Sequence, residues 1–159
     1  MKALCLVIAV VSVAAGCSQS AAPPAPVKAE TEMSRAVVDP YLKIQVSLAG
    51  DTTDGVHANA DTVARAAGAL GAPAARIRDA AVQLSDASKT EAADIRNVRE
   101  KFGTMSEEID TYMTDRKLTP PGGVKVAFCP MMQKPWLQTG DKVSNPYYGK
   151  EMPTCGSFQ

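Results

Sequence analysis

The 159-residue chain sets 17 lysines and arginines against 17 aspartates and glutamates, and only 5% of it is aromatic. No basic stripe runs along it, so nucleic-acid binding has no electrostatic support. One histidine, no glycine-rich phosphate loop and no acidic pair in a readable cleft leave no nucleophile–base constellation, and catalysis is not expected.

The chain opens MKALCLVIAVVSVAAGCSQS. Lys2 precedes an almost wholly apolar stretch over 3–15, which has the length of a signal-peptide core and is too short to span a bilayer. Ala14-Ala15-Gly16-Cys17 resembles a bacterial lipobox, with Ala14 where leucine is usual; ordinary signal cleavage nearby is the alternative. The resemblance implies removal of 1–16 and lipidation of Cys17, and Ser18 after it implies outer-membrane sorting, with the protein facing the periplasm. Several acyl chains would anchor stably, at about 0.8 kcal/mol per buried methylene. Losing Lys2 and no acid leaves a formal charge of −1. Residues 17–33, rich in Ser, Ala and Pro, have few groups to bury and are expected to form a disordered tether.

Four amphipathic helices follow over 34–118. Asp39-Pro40 can open a helix, but Val37, Tyr41, Ile44 and Leu48 share one stripe, so the first helix is placed from near Ser34 to Gly50 with Pro40 in its first turns. The second runs from about Asp54 to Leu70 on Val56, Ala60, Val63, Ala67 and Leu70, with Gly71 at its C-terminal cap. Pro73 opens the third, faced by Ile77, Ala80, Ala81 and Leu84. Ser88-Lys89-Thr90-Glu91 fits a capping box for a long fourth helix carrying Ala92, Ile95, Val98, Phe102, Met105, Ile109 and Tyr112. Short connections predict an antiparallel up-and-down four-helix bundle, mainly α. Met105 and Met113 read as core filler. His57, beside the second stripe, reads as a surface or half-buried histidine rather than a ligand.

After Pro120-Pro121-Gly122-Gly123 the texture changes. Residues 119–159 hold five of the eight aromatics: Phe128, Trp136, Tyr147, Tyr148 and Phe158. VKVAFC alternates like a short strand, and SNPYYG reads as a turn. This segment is too short for its own core and is expected to pack on the bundle as a small irregular or β tail. With Cys5 in the signal stretch and Cys17 at the lipobox, Cys129 and Cys155 remain, an even pair in an oxidising compartment.

The tail resembles the end of a bacterial domain-of-unknown-function family found with copper/silver efflux periplasmic adaptor proteins, either fused to them or as small secreted proteins. The shared signature is Cys129-Pro130-Met131, Trp136-Leu137, Asn145-Pro146-Tyr147-Tyr148-Gly149, Met152 and Cys155-Gly156. YLKIQVSLAGD and IRNVREKFGTMSEEI are similar to its helices, so the resemblance covers roughly 34–156. The stretch between Met131 and Trp136 is shorter here than the signature leads one to expect. The resemblance implies a periplasmic, heavy-metal context.

Two readings of the tail stay open. Thiolate and thioether are soft donors that select Cu(I) or Ag(I). In a strand Cys129 and Met131 would project to one side, and in a helical turn Met152 and Cys155 would be neighbours. Together they would make a four-sulfur site shielded by Trp136, for buffering the ion or delivering it to an efflux adaptor. Zinc is disfavoured, since thioether serves it poorly and the tail has no histidine. Alternatively, a Cys129–Cys155 disulfide would close a loop of about 26 residues, worth about 3.5 kcal/mol, and staple a docking module of an envelope complex. The pair could also alternate between the two states.

Overall fold

The computed structural model describes residues 31–90 and 92–159. The signal stretch, Cys17 and nearly all of the expected tether lie outside the described residues. Four helices come first: α1 (Arg35–Ala49), α2 (Val56–Ala69), α3 (Ala75–Ala87) and α4 (Ile95–Arg116). A short sheet follows, built from β1 (Val124–Cys129), β2 (Lys134–Thr139) and β3 (Ser157–Phe158). Each helix packs on the next in sequence, as the short connections require. Among the described residues, no helix is long and apolar enough to cross a membrane.

The stripes read from spacing form the core. Val37, Tyr41, Ile44 and Leu48 of α1, Val56, Ala60, Val63 and Ala67 of α2, Ile77 and Leu84 of α3, and Val98, Phe102, Met105 and Ile109 of α4 are all buried. Small alanines along α2 and α3 leave room for close helix contact. Pro40 lies inside α1 as its sixth residue, so the ladder lacks the one bond that an N–H there would give to Ala36 O.

Two expected boundaries move. Ser88 does not open α4. It ends α3, where its hydroxyl donates to Leu84 O at 2.7 Å. Asp94 is the N-cap of α4 and accepts the Arg96 N–H at 3.0 Å. The tether also stops short of residue 33. Met33 is buried, its N–H bonds Thr119 O at 2.8 Å, and Thr119 N–H bonds Thr31 O at 2.9 Å. The residues entering α1 are thus tied to those leaving α4, which an unpatterned Thr-Glu-Met does not announce.

The sheet is antiparallel in the order β2-β1-β3. Its β2 edge enters between α1 and α4. An edge strand buried there would strand its outward N–H and C=O groups, and side chains take them up. Leu137 N–H donates to the Tyr41 hydroxyl at 3.1 Å, and the Tyr147 hydroxyl donates to Pro135 O. Pro135 has no N–H to satisfy. Tyr41 passes its own proton to Ser106 Oγ at 2.7 Å, and Ser106 donates to Phe102 O at 3.0 Å. Burial pushes both tyrosine hydroxyls well above their ordinary value. Above this relay Tyr41 stacks on Phe102 at 5.0 Å, and Trp136 meets Tyr147 edge-on at 5.9 Å. Tyr147 also packs on Phe102 of α4 at 5.9 Å, so the tail's aromatics do hold it to the helices.

Candidate functional site

The two cysteines come together at the far end of the sheet. Cys129 is the last residue of β1 and is fully buried. The β1–β3 register pairs Phe128 with Ser157, so one further step sets Cys129 opposite Gly156, beside Cys155. Both cysteines are free thiols, and the Asn145 side chain reaches both, lying 3.4 Å from the Cys129 sulfur and 2.5 Å from Cys155 O. Burial first, and then the Cys129 sulfur, push the half-buried Cys155 thiol above its ordinary value.

Glycine at 156 makes the approach feasible. Its φ is +141°, and a Cβ there would stand 2.6 Å from Trp136 Cη2 and 2.8 Å from Phe128 O. The Trp136 ring therefore lies on the backbone of Gly156, the residue after Cys155. Its indole N–H is satisfied by Gln138 Oε1 at 2.9 Å.

The methionines do not all follow. The strand ends at Cys129, because Pro130 cannot continue the ladder and the chain turns over 130–133, with Gln133 at φ 54°. Met131 sits in that turn and is 64% exposed, so strand alternation does not carry it to the side of Cys129. Met132 is the half-buried one. It packs on the core and lines a cavity of about 310 Å³ with Arg96, Arg99, Glu100, Tyr147, Tyr148 and Glu151. Met152 is half-buried after the single 3₁₀ turn Gly149–Glu151, and its carbonyl accepts the Cys155 N–H at 3.2 Å. The expected i, i+3 closeness of Met152 and Cys155 is therefore present in the backbone. Of the four proposed sulfur ligands, the structure brings Cys129 and Cys155 to the same end of the sheet.

Among the described residues, no group of three or more His, Cys, Asp or Glu is placed to hold a metal ion. His57 lies elsewhere, between α2 and α3. Its Nδ1 faces Ser85 Oγ at 2.8 Å and Ser85 O at 3.1 Å, and Ser85 Oγ donates to Asp61 Oδ1 at 2.6 Å. That array superficially resembles a catalytic triad. The serine proton goes to the carboxylate, however, so Nδ1 carries its hydrogen toward Ser85 Oγ and Ser85 O and is a donor there, not a base. A larger open cavity of about 420 Å³ lies between Pro73 and α4, lined by Arg76, Glu108, Tyr112 and Arg116, with no sulfur in its wall.

Two polar residues that spacing did not single out hold the tail in place. Arg99 lies on the inward face of α4 and reaches Leu48 O at 2.8 Å, Pro146 O at 3.0 Å and Asp51 Oδ1 at 2.5 Å. A charge set among Ile95, Val98 and Phe102 was the available signal. Asn145 is fully buried. Its side-chain N–H₂ lies 3.4 Å from the Cys129 sulfur and 2.5 Å from Cys155 O, and its Oδ1 accepts the Tyr147 N–H at 2.7 Å. Gln45 of α1 anchors the preceding residue through Ser144 O at 2.7 Å.

Comparison with protein-family models, with curated proteins and with solved structures gives no match.

Proposed function

We propose that this protein is a lipid-anchored, periplasm-facing binder of a soft monovalent ion, Cu(I) or Ag(I), carried on the thiolates of Cys129 and Cys155, for buffering or for delivery to an efflux adaptor. The observation that carries the reading is the nearness of the two free cysteines at the end of the sheet, where the β1–β3 register sets Cys129 opposite Gly156 and one Asn145 amide reaches both. Two thiolates suit a soft ion of low coordination number. Zinc asks for four ligands, and no third His, Cys, Asp or Glu joins the pair among the described residues. The site is thus narrower than the four-sulfur set read from spacing, with Met152 the thioether nearer in sequence to Cys155 and Met131 left in solvent. Trp136 limits water access by covering Gly156. Each thiol must lose its proton when the ion binds, so binding releases protons. The lipobox and tail resemblances supply the compartment and the metal context.

The test is anaerobic Cu(I) titration of the reduced protein against a competing chelator. One ion should bind per chain, and Cys129→Ser or Cys155→Ser should abolish the tight phase. Affinity no better than that of free thiols would remove the proposal.

The same nearness favours a second reading, a Cys129–Cys155 disulfide stapling a docking module. Under it, the purified periplasmic protein would carry no free thiol, and metal tolerance of cells would be indifferent to either serine variant.

A further inference from the structure

We propose that Asn145 is the positioning residue of the dithiol site, donating a hydrogen bond to the Cys129 sulfur when that sulfur carries ligand charge. The inference rests on the soft-ion reading above and adds a determinant of affinity to it. The direction of the carboxamide follows from its partners. Oδ1 faces two backbone donors, Tyr147 N–H at 2.7 Å and Tyr148 N–H at 3.3 Å, and only an oxygen can accept them. The NH₂ group must then point the other way. One proton meets Cys155 O at 2.5 Å and the other the Cys129 sulfur at 3.4 Å.

The amide is held from several sides. Asn145 N–H bonds Pro153 O at 2.9 Å, and its carbonyl accepts the Gly149 N–H at 3.1 Å. Gln45 fixes Ser144 and Arg99 fixes Pro146 through their carbonyls. A rigid donor aimed at a buried sulfur matters because of charge. Two thiolates and a monovalent cation leave one net negative charge, and Cys129 is fully buried. Such a charge is costly without a donor to face it. Groups that orient metal ligands in this way typically govern affinity by 10–100-fold, and that range is about what removal of the amide should cost.

Asn145→Asp keeps an oxygen for the Tyr147 and Tyr148 N–H groups and places a second oxygen where the donor was. Cu(I) and Ag(I) affinity of the folded variant should fall about tenfold or more, and the melting temperature of the metal-free protein should fall too, since the second oxygen faces Cys155 O. The response of the amide to the ion separates this role from simple support of the turn. In wild-type protein with ¹⁵N-labelled asparagine, Ag(I) should shift the Asn145 side-chain proton resonance downfield, and Cys129→Ser should abolish that shift. Should Asn145→Asp fail to fold, this resonance decides. Undiminished affinity in Asn145→Asp, or an Asn145 resonance unmoved by Ag(I) in a protein that binds it, overturns this inference alone. A wild-type protein that binds neither ion overturns the soft-ion reading and this inference with it.

Discussion

Arg99 of α4 and Asp51, two residues past the end of α1, meet at 2.5 Å, with the arginine side chain 11% exposed. The same guanidinium holds Leu48 O and Pro146 O, so one side chain ties the end of α1, α4 and the tail turn together. Arg99 and the Lys150 N–H hold the Asp51 carboxyl below the usual carboxylate range. Since the folded value is depressed, its contribution is present above the ordinary carboxylate value and is lost as pH falls through the folded one. Urea unfolding should therefore show stability falling on acidification below about pH 4, and Arg99→Met should flatten that slope. At neutral pH Arg99→Met should cost about 2 kcal/mol or more, because two buried carbonyls lose a charged donor. An unchanged midpoint would show that the carbonyls find water instead.

Gly149 lies against this pair at φ +53°. A Cβ there would stand 2.0 Å from Asp51 Oδ1 and 2.2 Å from Arg99 Nη2. Gly149→Ala should destabilise by about 3 kcal/mol, joining backbone strain to a clash with a paired charge. Gly140 has a similar φ of +85° with nothing near its missing Cβ, so Gly140→Ala should cost only about 1 kcal/mol. Measuring both by denaturant unfolding separates the close approach from the dihedral, and equal losses would refute the separation.

Tyr41 closes the buried edge of the sheet. Tyr41→Phe keeps the stack on Phe102 but strands the Leu137 N–H, which has the hydroxyl as its partner at 3.1 Å. A buried donor left unpaired costs about 1–3 kcal/mol. The matching signature is local: amide hydrogen exchange at Leu137 should accelerate more than exchange in α2, whose packing the substitution does not touch.

How much of this was legible follows from what leaves a periodic mark. Helix faces recur every three or four residues, so Val37 to Leu48 and Val98 to Ile109 announced their burial. VKVAFC announced β1 by alternation. β2 was missed because KPWLQT contains a proline and buries Trp136, Leu137 and Gln138 in succession, one side against β1 and the edge against helices. The start of α4 was misplaced because Ser88 satisfies the carbonyls behind it, while Asp94 caps the helix ahead. In the site, the meeting of Cys129 with Cys155 was readable as an even pair. The setting of Met131 was not, since the strand had to stop at Pro130 for the thiols to meet. Asn145 lies in a stretch read only as a turn. Its second role depends on a sulfur 16 residues away, and a contact across that separation has no spacing rule.

The nearness of the thiols carries one more prediction. Removing two electrons and two protons from Cys129 and Cys155 would join their sulfurs, and added diamide can accept them. Cys129 and Gly156 face each other across β1 and β3, so closure should need little rearrangement of either strand. Diamide should convert the reduced protein to a form lighter by two hydrogens within minutes. That form should be more stable by up to about 3.5 kcal/mol, the value for a loop of about 26 residues. It should also bind no Cu(I), because both sulfurs are spent on each other, and dithiothreitol should restore binding together with the original mass. Oxidised protein that still binds the ion tightly would put the ligands elsewhere. Diamide that yields only intermolecular disulfides would show that the two thiols do not meet in solution.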